Sequence, residues 1–429
     1  MLFRNITIID ENLNIKEGMY VGTKEEKIDY IGTKMPKLDY GQAYEGKGKL
    51  LMSGFFNSHA HTPMTLMRGY GENMALQAWL NDRIFPFEDK LTENDVYYAT
   101  LLGIAESLRF GIVSTTDMYY FCDRMAQAIL ESGAKNNLSR GLTCFSDMDL
   151  KDLIAYRESK ELYEQYHNSG GGRLKIDMSL HAEYTSNPKI VQQFGEYTQE
   201  LGTRMHVHVS ETKFEHEACK ERHGGKTPVA YFNDLGLLDS KTTAAHCVWI
   251  EGEDFDILAD KGVTVGTCPI SNLKLASGVC NVPLLLEKGI NVAIGTDSVS
   301  SNNNLNYIEE MKFFSLVHKE RFGDPTLITP KQVLYAGTRA GALAQEREDS
   351  GKLKVGYRAD LIVLDIEGPH MQPVHSLVNN LIYSSSGSDV VLTMVDGQVL
   401  FRDGDFLTID IEKVKHEVIE SKNRILSEL

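Results

Sequence analysis

Between residues 54 and 352, short β-branched, apolar stretches alternate with helical patterns, and this alternation limits the available folds more than any other feature of the chain. The strand candidates read GFFNSHA, IVSTTDM, LSRGLTCF, LKIDMSLHA, RMHVHVS, TTAAHCV, VTVGTCP and NVAIGTD. Segments such as ENDVYYATLLGIAESLRF and NPKIVQQFGEYTQELG lie between them, with apolar residues at helical spacing. Strands separated by helices must run parallel. Eight such units over roughly 300 residues is the arithmetic of an α/β fold of the (β/α)8 TIM-like barrel type.

The two ends read differently. NITIID, GMYVGT and KIDYIGT before residue 54, and ADLIVLDI and VVLTMVDGQVLFRDGDF after residue 352, alternate apolar and polar residues between glycine-marked turns. They predict one small β-sandwich domain built from both termini, residues 1–53 and 353–429, around a barrel at 54–352. The last segment, IEKVKHEVIESKNRILSEL, predicts a closing helix.

The chain has 429 residues, 42% of them hydrophobic, which is enough for a large core. Its net charge of −16, with no basic stripe, argues against a nucleic-acid or anionic-membrane partner. No apolar run reaches the roughly 18 residues of a membrane span. The first residues, MLFRNITIIDENLNI, lack the pattern of a signal peptide. Six cysteines (Cys122, Cys144, Cys219, Cys247, Cys268, Cys280), none in a C-x-x-C pair, fit scattered reduced thiols. Together these features predict a cytoplasmic protein.

Side chains two apart on a strand share a face. His59 and His61 in GFFNSHAHTPM therefore point together. His208 in MHVHVSET falls at the end of the fifth candidate strand, His246 in AAHCVW at the end of the sixth, and Asp297 in AIGTDSVSSNN at the end of the eighth. In a barrel the C-terminal strand ends form one ring, so residues far apart in sequence converge there. Imidazoles and a carboxylate crowded together call for a divalent cation, and this donor chemistry suits Zn²⁺ or Fe²⁺.

The segments SHAHTPM, HVSET, AAHCV, PISNLKL, GTDSVSSNN and GYRADLIVLD resemble the amidohydrolase superfamily, within it the branch of 5-methylthioadenosine/S-adenosylhomocysteine deaminases. The likeness covers nearly the whole chain. It implies that His59, His61, His208 and Asp297 hold one metal ion, Zn²⁺ as the first choice and Fe²⁺ as the second. It implies Glu211 as the proton shuttle, Asp297 as the acceptor of the water's proton, and His246 as the residue that orients that water or stabilises the tetrahedral species. Relatives with two metals carry a carboxylated lysine on the fourth strand. Here the only lysine of that strand, Lys175, lies at its far end, and the expectation is a single metal.

The same resemblance implies four substrate contacts. Trp79 would lie near the sugar or thioether, Glu88 would accept ribose hydroxyls, and Arg140 and His181 would contact the purine or the tail. Trp79 also reads as plain core, and Arg140 as a structural ion-pair residue. His206, one layer below His208, reads as a satisfied core residue, and His216 and His223 in KFEHEACKERHGG read as part of a solvated helix.

The chain departs from the family pattern in TCPISNLKL, in HAEYT with Glu183, and in having Asp152 twelve residues past Arg140, where some relatives have a second arginine; Arg157 is the nearest substitute. The implied reaction is hydrolytic deamination of an adenine nucleoside (5-methylthioadenosine, S-adenosylhomocysteine or adenosine) to the inosine analogue plus ammonia. The same site on guanine, a pterin, cytosine or an s-triazine is the alternative. A metal-binding scaffold without activity is a third reading, disfavoured by the complete ligand set. The only partner expected is the small-molecule nucleoside, and a homo-oligomer is compatible with the barrel type, since such barrels commonly pair.

Overall fold

A computed structural model of the protein describes residues 1–74 and 76–429. Eight parallel strands follow one another around a barrel: β1 (Phe55–Ala60), β2 (Ile112–Tyr119), β3 (Lys135–Leu142), β4 (Met178–Leu180), β5 (Met205–Val209), β6 (Thr242–His246), β7 (Thr264–Thr267) and β8 (Val292–Ile294). A short strand, Leu174–Ile176, pairs with β3 just before β4 begins. The predicted third strand starts three residues too late, because Lys135, Asn136 and Asn137 are polar yet buried and paired with β2. The barrel is nearly closed. At the seam the Asp297 N–H donates to the His59 carbonyl at 3.0 Å, and the Asn57 amide group bridges to Thr296.

The helices between strands begin and end where the sequence signals them. Helix Glu93–Arg109 starts from a capping box of Thr92 with Asp95. Helix Pro188–Leu201 is capped by Asn187, has proline in its first turn, and stops at Gly202 in the left-handed region. Apolar faces of these helices pack on the barrel in one continuous core that includes Phe55, Phe56, Phe194, Phe232 and Phe314.

The terminal strands form one sheet around a second core of Phe3, Ile6, Val21, Leu51, Leu361, Val363 and Met394. Its centre is the antiparallel pairing of Lys49–Ser53 with Leu361–Asp365, which joins the two ends of the chain. Lys49–Ser53 runs straight into β1, so the terminal sheet sets where β1 enters the barrel. Lys135 at the start of β3 locks the two units from below, with Nζ 2.6 Å from both Asp360 and Asp396. The closing helix, Ile411–Glu428, packs on helix Glu93–Arg109, where Arg424 pairs with Asp95 at 2.5 Å. All six cysteines are free and buried. No helix among the described residues is long and apolar enough to cross a membrane.

Candidate metal centre and active site

The alternation of β1 turns Asn57 and His59 into the barrel, and His61 follows them at the mouth. His59 Nε2 lies 3.4 Å and His61 Nε2 3.5 Å from the same Asp297 oxygen, Oδ1. His208, from β5, brings its Nε2 to 3.3 Å from that of His61. The ligating atoms of His59, His61 and His208 lie within 4.8 Å of one another, as do those of His59, His246 and Asp297. Gly295 makes this closeness possible: a Cβ there would sit 2.8 Å from His59 Cβ and 2.9 Å from Cys268 Sγ.

Hydrogen bonds on the far side of each ring decide what faces the centre. His61 Nδ1 lies 2.7 Å from the Met118 carbonyl, and His208 Nδ1 lies 2.7 Å from the His181 carbonyl. A carbonyl only accepts, so each Nδ1 carries the hydrogen and each Nε2 presents a lone pair. Burial pushes His208 well below the ordinary imidazole range, so protonation does not relieve the lone-pair contact. His59 Nε2 is buried and has no hydrogen-bond partner among the described residues. Converging lone pairs and an anionic oxygen fit a divalent cation, the chemistry that imidazole and carboxylate donors serve.

The supports of this centre were only partly legible. His206, read as core, has its Nε2 2.9 Å from His59 Nδ1 and so sets the angle of the His59 ring; its own Nδ1 is unpartnered. Asp297 Oδ2 accepts from the Ser271 hydroxyl at 2.5 Å and the Ser301 hydroxyl at 2.9 Å, which leaves Oδ1 facing the imidazoles. Both serines lie in segments that carried the resemblance, yet nothing in a single sequence singles them out. His246 and Asp297 have φ of +70° and +59°, left-handed values that non-glycine residues adopt at a cost and that concentrate where side chains must be aimed.

Beside the imidazoles, His246 Nδ1 meets Asn272 Oδ1 at 2.9 Å, and its Nε2 lies 3.8 Å from Glu211. Burial alone would lower His246, but Glu211, Asp297 and Asn272 outweigh it and hold the imidazole above its usual range. Burial raises the Glu211 carboxyl above the usual carboxylate range. The turn carrying Glu211 is gripped by Glu215, whose two oxygens accept from the Ser210 N–H at 2.9 Å and the Glu211 N–H at 2.8 Å. Glu215 was not picked out from the sequence.

A cavity of about 110 Å³ opens over this group and is lined by His61, His181, His208, Glu211, His246 and Asp297. Trp79 and Glu88 line the same cavity. Glu88 is half-buried, desolvation raises its pKa to about 7, and Oε1 accepts from the Tyr119 hydroxyl at 2.7 Å. Arg140 does not reach the inner cavity. It lines an adjoining chamber of about 320 Å³, where its Nε donates to Glu158 at 2.6 Å and its guanidinium lies 4.8 Å above the Tyr120 ring.

The expectation of a solvated helix fails for His216. The helix Lys213–Arg222 buries it, 1% exposed, against Ser210 and Glu251. His223 stacks on Tyr231 and, with Arg222, pairs with the buried carboxylate of Glu183. The helix reads as solvated because its buried groups are polar; polar partners from neighbouring segments, not apolarity, allow their burial.

The model of the amidohydrolase family matches residues 50–400. A 5-methylthioadenosine/S-adenosylhomocysteine deaminase of Dictyoglomus thermophilum is 40% identical over 373 residues, covering 87% of this chain and 87% of that protein. A 5'-deoxyadenosine deaminase of Methanosarcina mazei is 39% identical and covers 89% of this chain and 88% of its own. The crystal structure of an adenosine deaminase from Xanthomonas campestris with bound zinc superposes with a TM-score of 0.93 at 26% identity, covering 99% of this chain and 98% of that one. A match of this extent, on a barrel whose strand ends gather His59, His61, His208 and Asp297, makes the chain a member of the amidohydrolase family.

Proposed function

We propose that the protein hydrolytically deaminates an adenine nucleoside, 5-methylthioadenosine, S-adenosylhomocysteine or adenosine, to its inosine analogue and ammonia. The observation that carries this reading is a single cavity faced by Glu211, His246 and Asp297 beside three converging imidazoles, with Glu88 in the same lining. We assign the chemistry to a barrel of residues 54–352 and a supporting role to residues 1–53 and 353–429.

His59, His61, His208 and Asp297 would hold the divalent ion, Zn²⁺ before Fe²⁺. When bound, such an ion supplies the Lewis acidity that brings water's pKa to near neutrality. Asp297, with Oδ2 held by two serines, takes a proton from the attacking water through Oδ1. Glu211, its carboxyl raised above the usual carboxylate range by desolvation, gives its proton to the ring nitrogen beside the reacting carbon. His246, with its Nδ1–H held by Asn272 Oδ1 and its pKa raised by Glu211 and Asp297, donates from Nε2 as the imidazolium to the oxygen as negative charge develops on it. The carbon–nitrogen bond then breaks: the amino group takes from Asp297 the proton first removed from water and leaves as ammonia, while the hydroxyl proton passes to Glu211 as the C=O forms and restores its acid form. Glu88 offers its second oxygen to a ribose hydroxyl, and Trp79 and His181 bound the base and sugar.

The direct test follows the ultraviolet change from adenine to hypoxanthine chromophores in metal-replete protein, with the three nucleosides side by side. Turnover of any of them supports the reading. Ammonia release only from guanine, a pterin, cytosine or an s-triazine overturns the nucleoside assignment. Exchanging Glu88→Gln should raise KM about tenfold and leave kcat within a few fold, since one charge-assisted hydrogen bond contributes roughly 1.5–3 kcal/mol. A fall in kcat with KM unchanged would assign Glu88 to the chemistry rather than to sugar binding.

A further inference from the structure

The outer chamber meets the inner cavity along Phe85, Glu88 and Tyr120, which line both. A nucleoside whose ribose sits on Glu88 directs its 5'-substituent there. The chamber's other walls are Asp89, Phe121, Arg140 and Glu158. Arg140 is the one arginine or lysine among the described residues lining either space. Arg157, the substitute considered for a second arginine, is turned away and donates to the Asp152 carbonyl at 3.3 Å.

Arg140 is already committed. A carboxylate grips a guanidinium through two adjacent donors, either Nε with Nη2 or Nη1 with Nη2. Nε donates to Glu158, which takes the Nε–Nη2 edge, and Nη1 gives one of its two hydrogens to the Gly141 carbonyl. The other ionisable walls, Glu88, Asp89 and Glu158, are all carboxyls. A neutral thioether tail meets Phe85, Tyr120 and Phe121 at no electrostatic cost. A tail ending in a carboxylate must displace Glu158 or stand beside it.

We propose that Glu158 is a specificity-determining residue that, by occupying Arg140, selects neutral 5'-substituents over tails carrying a free carboxylate. This rests on the adenine-nucleoside reading above. Glu158 is on the exposed side of helix Ile154–Tyr166, with its side chain 48% exposed, so Glu158→Gln removes the charge without touching the core.

The test compares kcat/KM for methylthioadenosine with that for 5'-(3-carboxypropylthio)-5'-deoxyadenosine, which carries the carboxylate without the neighbouring ammonium of S-adenosylhomocysteine. Wild type should prefer the neutral tail. Glu158→Gln should raise the carboxylate-to-neutral ratio about tenfold, as freeing one edge of the guanidinium allows a charge-assisted pair. The exposed Glu161→Gln on the same helix should leave the ratio unmoved. A ratio changed less than twofold in Glu158→Gln, with both nucleosides turned over, overturns the inference and leaves the proposed reaction standing. No turnover of either nucleoside by wild type overturns the reaction and the inference with it.

Discussion

Glu211→Gln is expected to lower kcat by roughly 10²–10⁴-fold, the range that general acid–base catalysis contributes. The argument is positional. The Glu211 side chain lies at the cavity wall, 12% exposed and 3.8 Å from His246, and desolvation there favours its protonated form. Glutamine has nearly the same shape and can still hydrogen-bond a ring nitrogen, but it cannot deliver a proton. Because Glu215 grips the turn through the backbone of Ser210 and Glu211, the loop should keep its course in the variant. Metal content and melting temperature should therefore match wild type while turnover collapses. Near-normal kcat in Glu211→Gln would remove the acid–base role from this residue.

The second large effect belongs to Asp297. Asp297→Asn keeps the shape but removes the negative charge that faces His59 and His61 at 3.4 and 3.5 Å. It also removes the acceptor for the water's proton. Turnover should fall by roughly 10⁴-fold or more, since the metal's contribution and the proton acceptor are lost together. Elemental analysis should find less than one equivalent of metal after dialysis against buffer that leaves wild type loaded. Chelated wild type should melt a few degrees lower, because an ion present at about 1,000 times its Kd stabilises by about 4 kcal/mol, and each kcal/mol moves a chain this long by roughly 1 °C. Added Zn²⁺ should restore wild type and not the variant. A variant that holds a full equivalent of metal and turns over normally would exclude Asp297 from both roles.

The histidine pair of β1 could be read without a structure because strand periodicity is a local property. Residues 59 and 61 must share a face whatever lies across the barrel. The strand–helix alternation is equally local, and right-handed parallel connection turns it into a barrel with one functional rim. That is why His208, His246 and Asp297 could be placed at strand ends, and why the structure brings them to His59 and His61.

What only the tertiary structure decided is pairing across elements. Whether His206 is inert core or the support of the His59 ring depends on the curvature of β5 against β1. The grip of Ser271 and Ser301 on Asp297 depends on how the segments after β7 and β8 meet. His216 sits in a segment with no apolar stripe, and its burial is possible only because Ser210 and Glu251 arrive from other elements. Arg140 was legible as a cation near the mouth, but its pairing with Glu158 joins β3 to the helix that follows it. Periodicity fixes the face a side chain occupies, through backbone geometry repeated every few residues. Its partner is chosen by packing between distant segments, which the order of residues along one chain does not encode locally.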